Sequence, residues 1–140
     1  MTRVRRRTDR SRLLRHTPPM ELLEREINLA NLASYAEEAR THQGRLVLLA
    51  GEAGVGKTAL LETFKDRLPD ARWAWGSCDG LFTPRPLSPL YDIARDLGGG
   101  LQAACDRNAP REELFDAFAY ALNTERDLTV VVIEDVHWAD

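Results

Sequence analysis

Apolar residues recur at helical spacing from Met20 onward, and this pattern predicts the first helix of the chain. Polar residues then lead to Gly44, which we predict ends that helix. A second helical stripe begins near Ala59 and ends at Leu68-Pro69-Asp70. The apolar stripe of the first helix consists of Leu22, Leu23, Ile27, Leu29, Ala30, Leu32, Ala33 and Ala36.

Two further helices, with a short piece between them, are predicted in the second half of the chain. Ser88 is a predicted N-cap with Pro89 at the first helical position, and the three glycines 98–100 break the helix that follows. A short segment covers 101–105, and another helix follows Pro110. The helices that begin near Ser88 and after Pro110 are predicted from apolar residues at helical spacing. These residues are Leu90, Ile93, Ala94, Leu97, Leu114, Phe115, Phe118, Ala119, Ala121 and Leu122.

Three apolar runs have the length and composition of strands. The first is Arg45-Leu46-Val47-Leu48-Leu49-Ala50, which is typical of a buried parallel strand. The second covers 72–77 and places Trp73 and Trp75 on one face, where we expect core packing. The third, 128–133, is β-branched and continuous, so we expect it to be buried on both faces. Helices between strands predict an α/β fold with a parallel sheet.

The segment G-E-A-G-V-G-K-T, residues 51–58, matches the complete phosphate-binding pattern G-x-x-x-x-G-K-[ST]. Its glycines allow the backbone to wrap around a phosphate, Lys57 supplies positive charge to the β- and γ-phosphates, and Thr58 offers a hydroxyl to Mg²⁺. A strand before the loop and a helix after it favour this interpretation over a chance glycine-rich turn. The predicted nucleotide-binding residues are Gly51, Glu52, Ala53, Gly54, Val55, Gly56, Lys57, Thr58 and Ala59.

A second nucleotide motif follows the last apolar strand, where Glu134 and Asp135 form a Walker B arrangement. We predict that Thr58, Glu134 and Asp135 surround the metal and that the two acids are the catalytic pair. Generic motifs of this kind place Asp first, so the order is reversed here. We place Glu134 at the metal position and Asp135 at the water position, against the alternative of two acids that merely cap a strand. His137 is predicted to be structural.

Composition narrows the class of protein. With 140 residues, 44% of them hydrophobic and 29% charged, the chain suits one globular domain, and no apolar run is long enough to cross a bilayer. Cys78 and Cys105 lack metal-site spacing and are expected to be small buried or half-buried thiols in a reducing cytosol. Residues 1–19 hold seven arginines and one acid. We expect them to be a disordered basic arm or a mis-annotated extension before Met20, with contact to nucleic acid or a membrane surface as the alternative.

The two motifs and the L-L-E-R-E segment that precedes them resemble bacterial AAA-like signal-transduction ATPases of the STAND class. Such domains occur in large LuxR-family transcriptional regulators and in related origin-recognition-complex-like AAA modules. The segment C-D-G-L-F-T-P-R-P-L-S-P-L-Y-D-I-A-R, residues 78–95, is also similar to the family's segment between the Walker motifs. The resemblance covers residues 20–140.

This resemblance implies an α/β P-loop NTPase fold with a parallel sheet and flanking helices, incomplete at the C-terminus. It implies ATP and Mg²⁺ as ligands, a cytoplasmic location, and Arg25 or Glu26 close to the base of the nucleotide. The family continues beyond Asp140 with a further strand between the 46–50 and 130–133 strands, a lid and a DNA-binding helix-turn-helix. Residues 20–140 would therefore be the N-terminal part of such a domain, with no DNA-binding element and with open apolar strand edges.

Three functions remain open on the sequence. The first is an ATP–Mg²⁺-binding module of a signalling regulator, with little or no hydrolysis by this chain alone. The second is a competent ATP hydrolase, and the third is an inactive remnant that associates with itself or docks on the remainder of the regulator. Nucleotide titration separates the first from the third, and phosphate release identifies the second. Guanine specificity is not expected, because the sequence lacks N-K-x-D.

Overall fold

Five helices and two short strands make up the part of the chain that this computed structural model describes, residues 20–78, 86–123 and 127–136. The predicted α/β class is confirmed, and each predicted helical segment corresponds to a helix. The elements are α1 (Met20–Arg40), α2 (Lys57–Arg67), β1 (Arg72–Ser77), α3 (Ser88–Leu97), α4 (Gly99–Asp106), α5 (Arg111–Asn123) and β2 (Thr129–Glu134).

The two strands form a parallel sheet that separates the helices into two layers. Their register pairs Trp75 with Val132 and Ser77 with Glu134. Because side chains alternate along a strand, Trp73 and Trp75 share one face of β1, while Ala74 and Gly76 lie on the other. By the same alternation, Glu134 belongs to the tryptophan face. Glu134, the acid at the end of β2, therefore faces the helix that follows the glycine-rich loop.

The larger core lies on the Ala74 face, where α3, α4 and α5 pack together. Gly76 allows α3 to approach closely, because a Cβ built on it would lie 2.5 Å from the backbone oxygen of Pro89. Cys105 is buried in this core and Cys78 is buried at the end of β1, as expected of both thiols. The buried members of this cluster are Ala74, Leu90, Ile93, Ala94, Leu97, Leu101, Ala104, Cys105 and Leu114.

The smaller core lies on the tryptophan face, between α1 and α2. Its buried residues are Leu29, Ala36, Leu60 and Phe64, and Trp73 packs its ring edge-on against Phe64 with centroids 5.8 Å apart. The predicted α1 stripe is only partly right. Ile27, for example, is 61% exposed, because the contact with α2 covers a narrower face of the helix.

The prediction of a strand at 45–50 is wrong in this structure. The segment is irregular, and the side chains of Leu46 and Leu48 are 92% and 83% exposed, while Leu49 packs against the smaller core. A strand is defined by bonds to a neighbouring strand, and the sheet of the described residues consists of β1 and β2 alone. Without a strand beside it, this apolar run stays unpaired.

The expected burial of β2 on both faces is also wrong. Val132 is buried, whereas Ile133 is 47% exposed. Within the described residues β2 is paired along one edge, with β1, and the 45–50 segment does not lie beside it as a strand. The strand itself, its parallel direction and its position after α5 match the prediction.

Helix ends differ from the sequence predictions by a few residues. Leu87, with φ of 62°, caps α3, and no side-chain hydrogen bond is made there, so Ser88 is the first helical residue rather than the N-cap. Helix α1 ends at Arg40, and His42 takes the left-handed conformation expected of a stop at Gly44. The amide of His42 donates to the carbonyl of Ala39, which closes the turn earlier than the glycine would.

Some sequence predictions fall outside the described residues. These are the basic arm at 1–19, residues 79–85 of the segment 78–95 that resembles the family, and His137. In the described part of the chain, no helix has the length and apolarity needed to span a membrane.

Candidate functional site

The glycine-rich loop leads directly into the N-terminus of α2. Gly54 and Gly56 have φ values of 80° and 92°, in the left-handed region that side chains disfavour. Gly56 is the N-cap of α2, no side chain caps the helix, and no acid lies in its first turn. The first amides of a helix have no partner within it, so those of the first turn are open to an anion. Residues 51–56, Thr58 and Ala59 are all exposed.

Lys57 folds back over this loop. Its Nζ donates to the carbonyl oxygens of Gly51 at 2.8 Å and Glu52 at 2.9 Å. The ammonium group therefore lies against the loop backbone, at the position from which it can reach a bound anion. Bonds from an ammonium to phosphate oxygens are charge-assisted on both sides, so a phosphate would replace these carbonyl partners favourably.

Thr58 faces the last acid of β2. Its hydroxyl donates to Oε1 of Glu134 at 2.6 Å, although 76 residues separate the two in sequence. The contact joins the first turn of α2 to the end of β2. Hydroxyl and carboxylate oxygens are the ligands that Mg²⁺ prefers, so this pair fits the metal that accompanies a nucleotide. Within the described ranges, no cluster of three or more His, Cys, Asp or Glu side chains forms a protein-only metal site.

Asp135 does not join this contact. It follows β2 with φ of 56°, it is exposed, and its carboxylate has no hydrogen bond to the described residues. The structure therefore brings Thr58 and Glu134 together beside the loop, whereas Asp135 is exposed to solvent.

A residue that the sequence prediction missed also contacts Glu134. The indole Nε1 of Trp75 donates to Oε2 of Glu134 at 2.9 Å. Trp75 was assigned to core packing alone, together with Trp73. The alternation of parallel strands places Trp75 and Glu134 on one face, so the register of β1 and β2 was the missing information.

Arg25 and Glu26 of α1 both contact α2. The guanidinium of Arg25 donates to the carbonyl of Ala59 and to the hydroxyl of Thr63, each at 2.8 Å. Glu26 forms an ion pair with Arg67, in which Oε1 of Glu26 lies 3.0 Å from Nη2 of Arg67. Arg25 thus lies beside the first turn of α2, whereas Glu26 lies at the far end of that helix, away from the loop.

Comparison with known proteins agrees with this geometry. Residues 21–140 match the family described as AAA ATPase domain. Neither a search of curated proteins nor a search of solved structures found a match of significance. The match covers most of the chain and includes the loop, α2 and the end of β2. The chain therefore belongs to the AAA ATPase domain family.

Proposed function

We propose that this domain binds ATP together with Mg²⁺ through the loop at 51–58, as the nucleotide module of a signal-transduction ATPase. Membership of the AAA ATPase domain family implies nucleotide binding. The finer assignment, to STAND-class proteins of the LuxR-regulator type, is supported by the resemblance of the two motifs and of the segment 78–95. In such a protein, nucleotide binding would act as a switch that favours one conformation.

One observation carries the proposal: the hydroxyl of Thr58 and the carboxylate of Glu134 meet at 2.6 Å beside the uncapped N-terminus of α2. The glycine-rich loop and the acids after the last apolar run are far apart in sequence, and the contact between Thr58 and Glu134 supports assigning both residues to the metal. A polyphosphate at the helix N-terminus would lie next to this pair, whose hydroxyl and carboxylate oxygens would hold the accompanying Mg²⁺.

Different residues of the chain would bind the phosphates and the metal. The loop glycines and the first-turn amides of residues 57–59 hold phosphate oxygens, and Lys57 neutralises part of their charge. Thr58 and Glu134 would hold Mg²⁺, which would supply positive charge against the phosphates of the nucleotide. Arg25 fixes the first turn of α2 through the carbonyl of Ala59.

Hydrolysis by this chain alone is proposed to be slow or absent. A residue that activates water must be held at a defined position, and Asp135 is exposed, with no described partner for its carboxylate. Glu134 already uses both carboxylate oxygens, one on Thr58 and one on Trp75. The site is thus better suited to holding a nucleotide than to consuming it.

Equilibrium titration of the chain with ATP, with Mg²⁺ and with EDTA, tests this function, and phosphate release is measured on the same samples. We expect saturable binding that Mg²⁺ strengthens and little phosphate release. Absence of ATP binding would favour an inactive interaction module. Turnover at ordinary enzymatic rates, in the range of about 1–1000 per second, would show that the chain is a competent hydrolase.

A further inference from the structure

Trp75 occupies an unusual position for a core tryptophan, because its polar edge points at the nucleotide site. Its indole Nε1 donates to Oε2 of Glu134 at 2.9 Å, while Oε1 of the same carboxylate accepts from Thr58 at 2.6 Å. The two donors therefore take one carboxylate oxygen each. With Oε2 held by the indole, Oε1 is the oxygen presented toward Thr58.

Packing fixes the orientation of this indole. The ring of Trp75 stacks on Trp73 with centroids 6.0 Å apart and an interplanar angle of 21°, and Trp73 packs against the buried Phe64. Nζ of Lys65 lies 5.9 Å from the centroid of the Trp75 ring. Phe64 and Lys65 both belong to α2, the helix that begins at Lys57. The donor is thus positioned by the same helix that carries Thr58.

The backbone of Trp75 is held as well. Its amide donates to Oδ2 of Asp96 on α3 at 2.8 Å, and Gly76 beside it packs against Pro89 of the same helix. Side chain and main chain are therefore anchored to opposite helix layers. A donor anchored in this way loses little conformational entropy when it forms its hydrogen bond.

We propose that Trp75 is a positioning residue for the nucleotide site: its indole N–H fixes the rotamer of Glu134, so that Oε1 faces the metal position beside Thr58. This inference rests on the proposed binding of Mg²⁺–ATP. A merely structural Trp75 would support the fold through its ring alone, so removing the N–H while keeping an aromatic ring separates the two roles.

Trp75→Phe removes the donor and keeps an aromatic ring, and Trp73→Phe is the matched control, because Trp73 Nε1 faces the carbonyl of Leu68 instead. ATP affinity is measured across a Mg²⁺ series and in EDTA. We expect Trp75→Phe to raise the Mg²⁺ concentration needed for half-maximal tight binding by roughly tenfold, while affinity in EDTA stays unchanged. Trp73→Phe should leave the Mg²⁺ dependence at the wild-type value.

If the wild type binds Mg²⁺–ATP and the two variants have the same Mg²⁺ dependence, the inference about Trp75 is overturned and the proposed function is not. Absence of Mg²⁺–ATP binding in the wild type would overturn the proposed function and the inference with it. A nucleotide-free measurement covers the case in which Trp75→Phe fails to fold. In ¹⁵N-labelled protein, Glu134→Ala should shift one indole N–H signal upfield and speed its exchange with solvent; unchanged indole signals would contradict the contact.

Discussion

Thr58 and Glu134 are joined by a 2.6 Å hydrogen bond, from the hydroxyl of the first turn of α2 to the carboxylate at the end of β2. This bond links the glycine-rich loop segment to the end of β2, between residues whose positions differ by 76 in sequence. The two neighbouring acids differ in their surroundings. Glu134 faces the loop, whereas Asp135 has a backbone φ of 56° and is exposed. The assignment of Glu134 to the metal and Asp135 to water therefore leads to different expectations for their variants.

Glu134→Gln is expected to weaken the binding of ATP in Mg²⁺ by roughly tenfold, a loss of about 1.4 kcal/mol, and to leave binding in EDTA unchanged. The amide keeps the size of the side chain and an acceptor for Thr58, but it removes the negative charge that attracts the metal. Calorimetric titration with and without Mg²⁺ measures the effect.

The matched control is Asp135→Asn, one residue further along the chain. We expect it to bind Mg²⁺–ATP as the wild type does, and to lower any residual phosphate release. If Asp135→Asn lost the Mg²⁺ dependence and Glu134→Gln kept it, the roles of the two acids would be the reverse of those proposed.

Gly76→Ala should destabilise the fold by about 1–3 kcal/mol, because the added Cβ would meet the backbone oxygen of Pro89 at 2.5 Å. Backbone atoms cannot move aside as a side chain can, so α3 would have to shift away from β1. Gly100→Ala is the control, since nothing lies within 4 Å of its Cβ position and it belongs to α4. Urea unfolding followed by circular dichroism compares the two. Equal stability in both variants would mean that α3 and β1 are not packed this closely.

Leu48→Lys is expected to reduce self-association of the chain without lowering its melting temperature. Leu46 and Leu48 are 92% and 83% exposed in a segment that has no strand beside it, and contiguous exposed apolar side chains promote association. Light scattering over a concentration series measures this. Leu49→Lys should instead lower the melting temperature, because Leu49 packs against the smaller core. Association that persists unchanged in Leu48→Lys would place the contact elsewhere.

Much of the fold and of the site follows from local signals in the sequence. The glycine-rich loop, the strand at 72–77 and the apolar strand before Glu134 are short motifs whose pattern implies their conformation. The order of helices follows from apolar periodicity, although the buried face of α1 is narrower than its apolar stripe. The ends of the helices are predicted less accurately. His42 and Leu87 adopt left-handed conformations that favour glycine, and tertiary context imposes these conformations.

What could not be predicted depends on contacts between distant segments. The run at 45–50 has the composition of a strand, yet a strand also needs a partner, and a single-segment pattern does not supply one. The contact of Trp75 with Glu134 was missed for the same reason. Its indole reaches Glu134 only because β1 and β2 pair in a particular parallel register, which periodicity within either strand does not specify.

The central claim is that the loop at 51–58 binds the phosphates of ATP, and Lys57→Ala tests it most directly. Within the described residues, Nζ of Lys57 donates to two carbonyl oxygens of the loop, so truncation of this side chain should leave the fold intact. The control is Arg67→Ala, a cation on the same helix that pairs with Glu26 about 15 Å further along the helix axis. Calorimetric titration with Mg²⁺–ATP is expected to show binding by the wild type and by Arg67→Ala, and none by a folded Lys57→Ala. Unchanged affinity in folded Lys57→Ala protein would contradict the account.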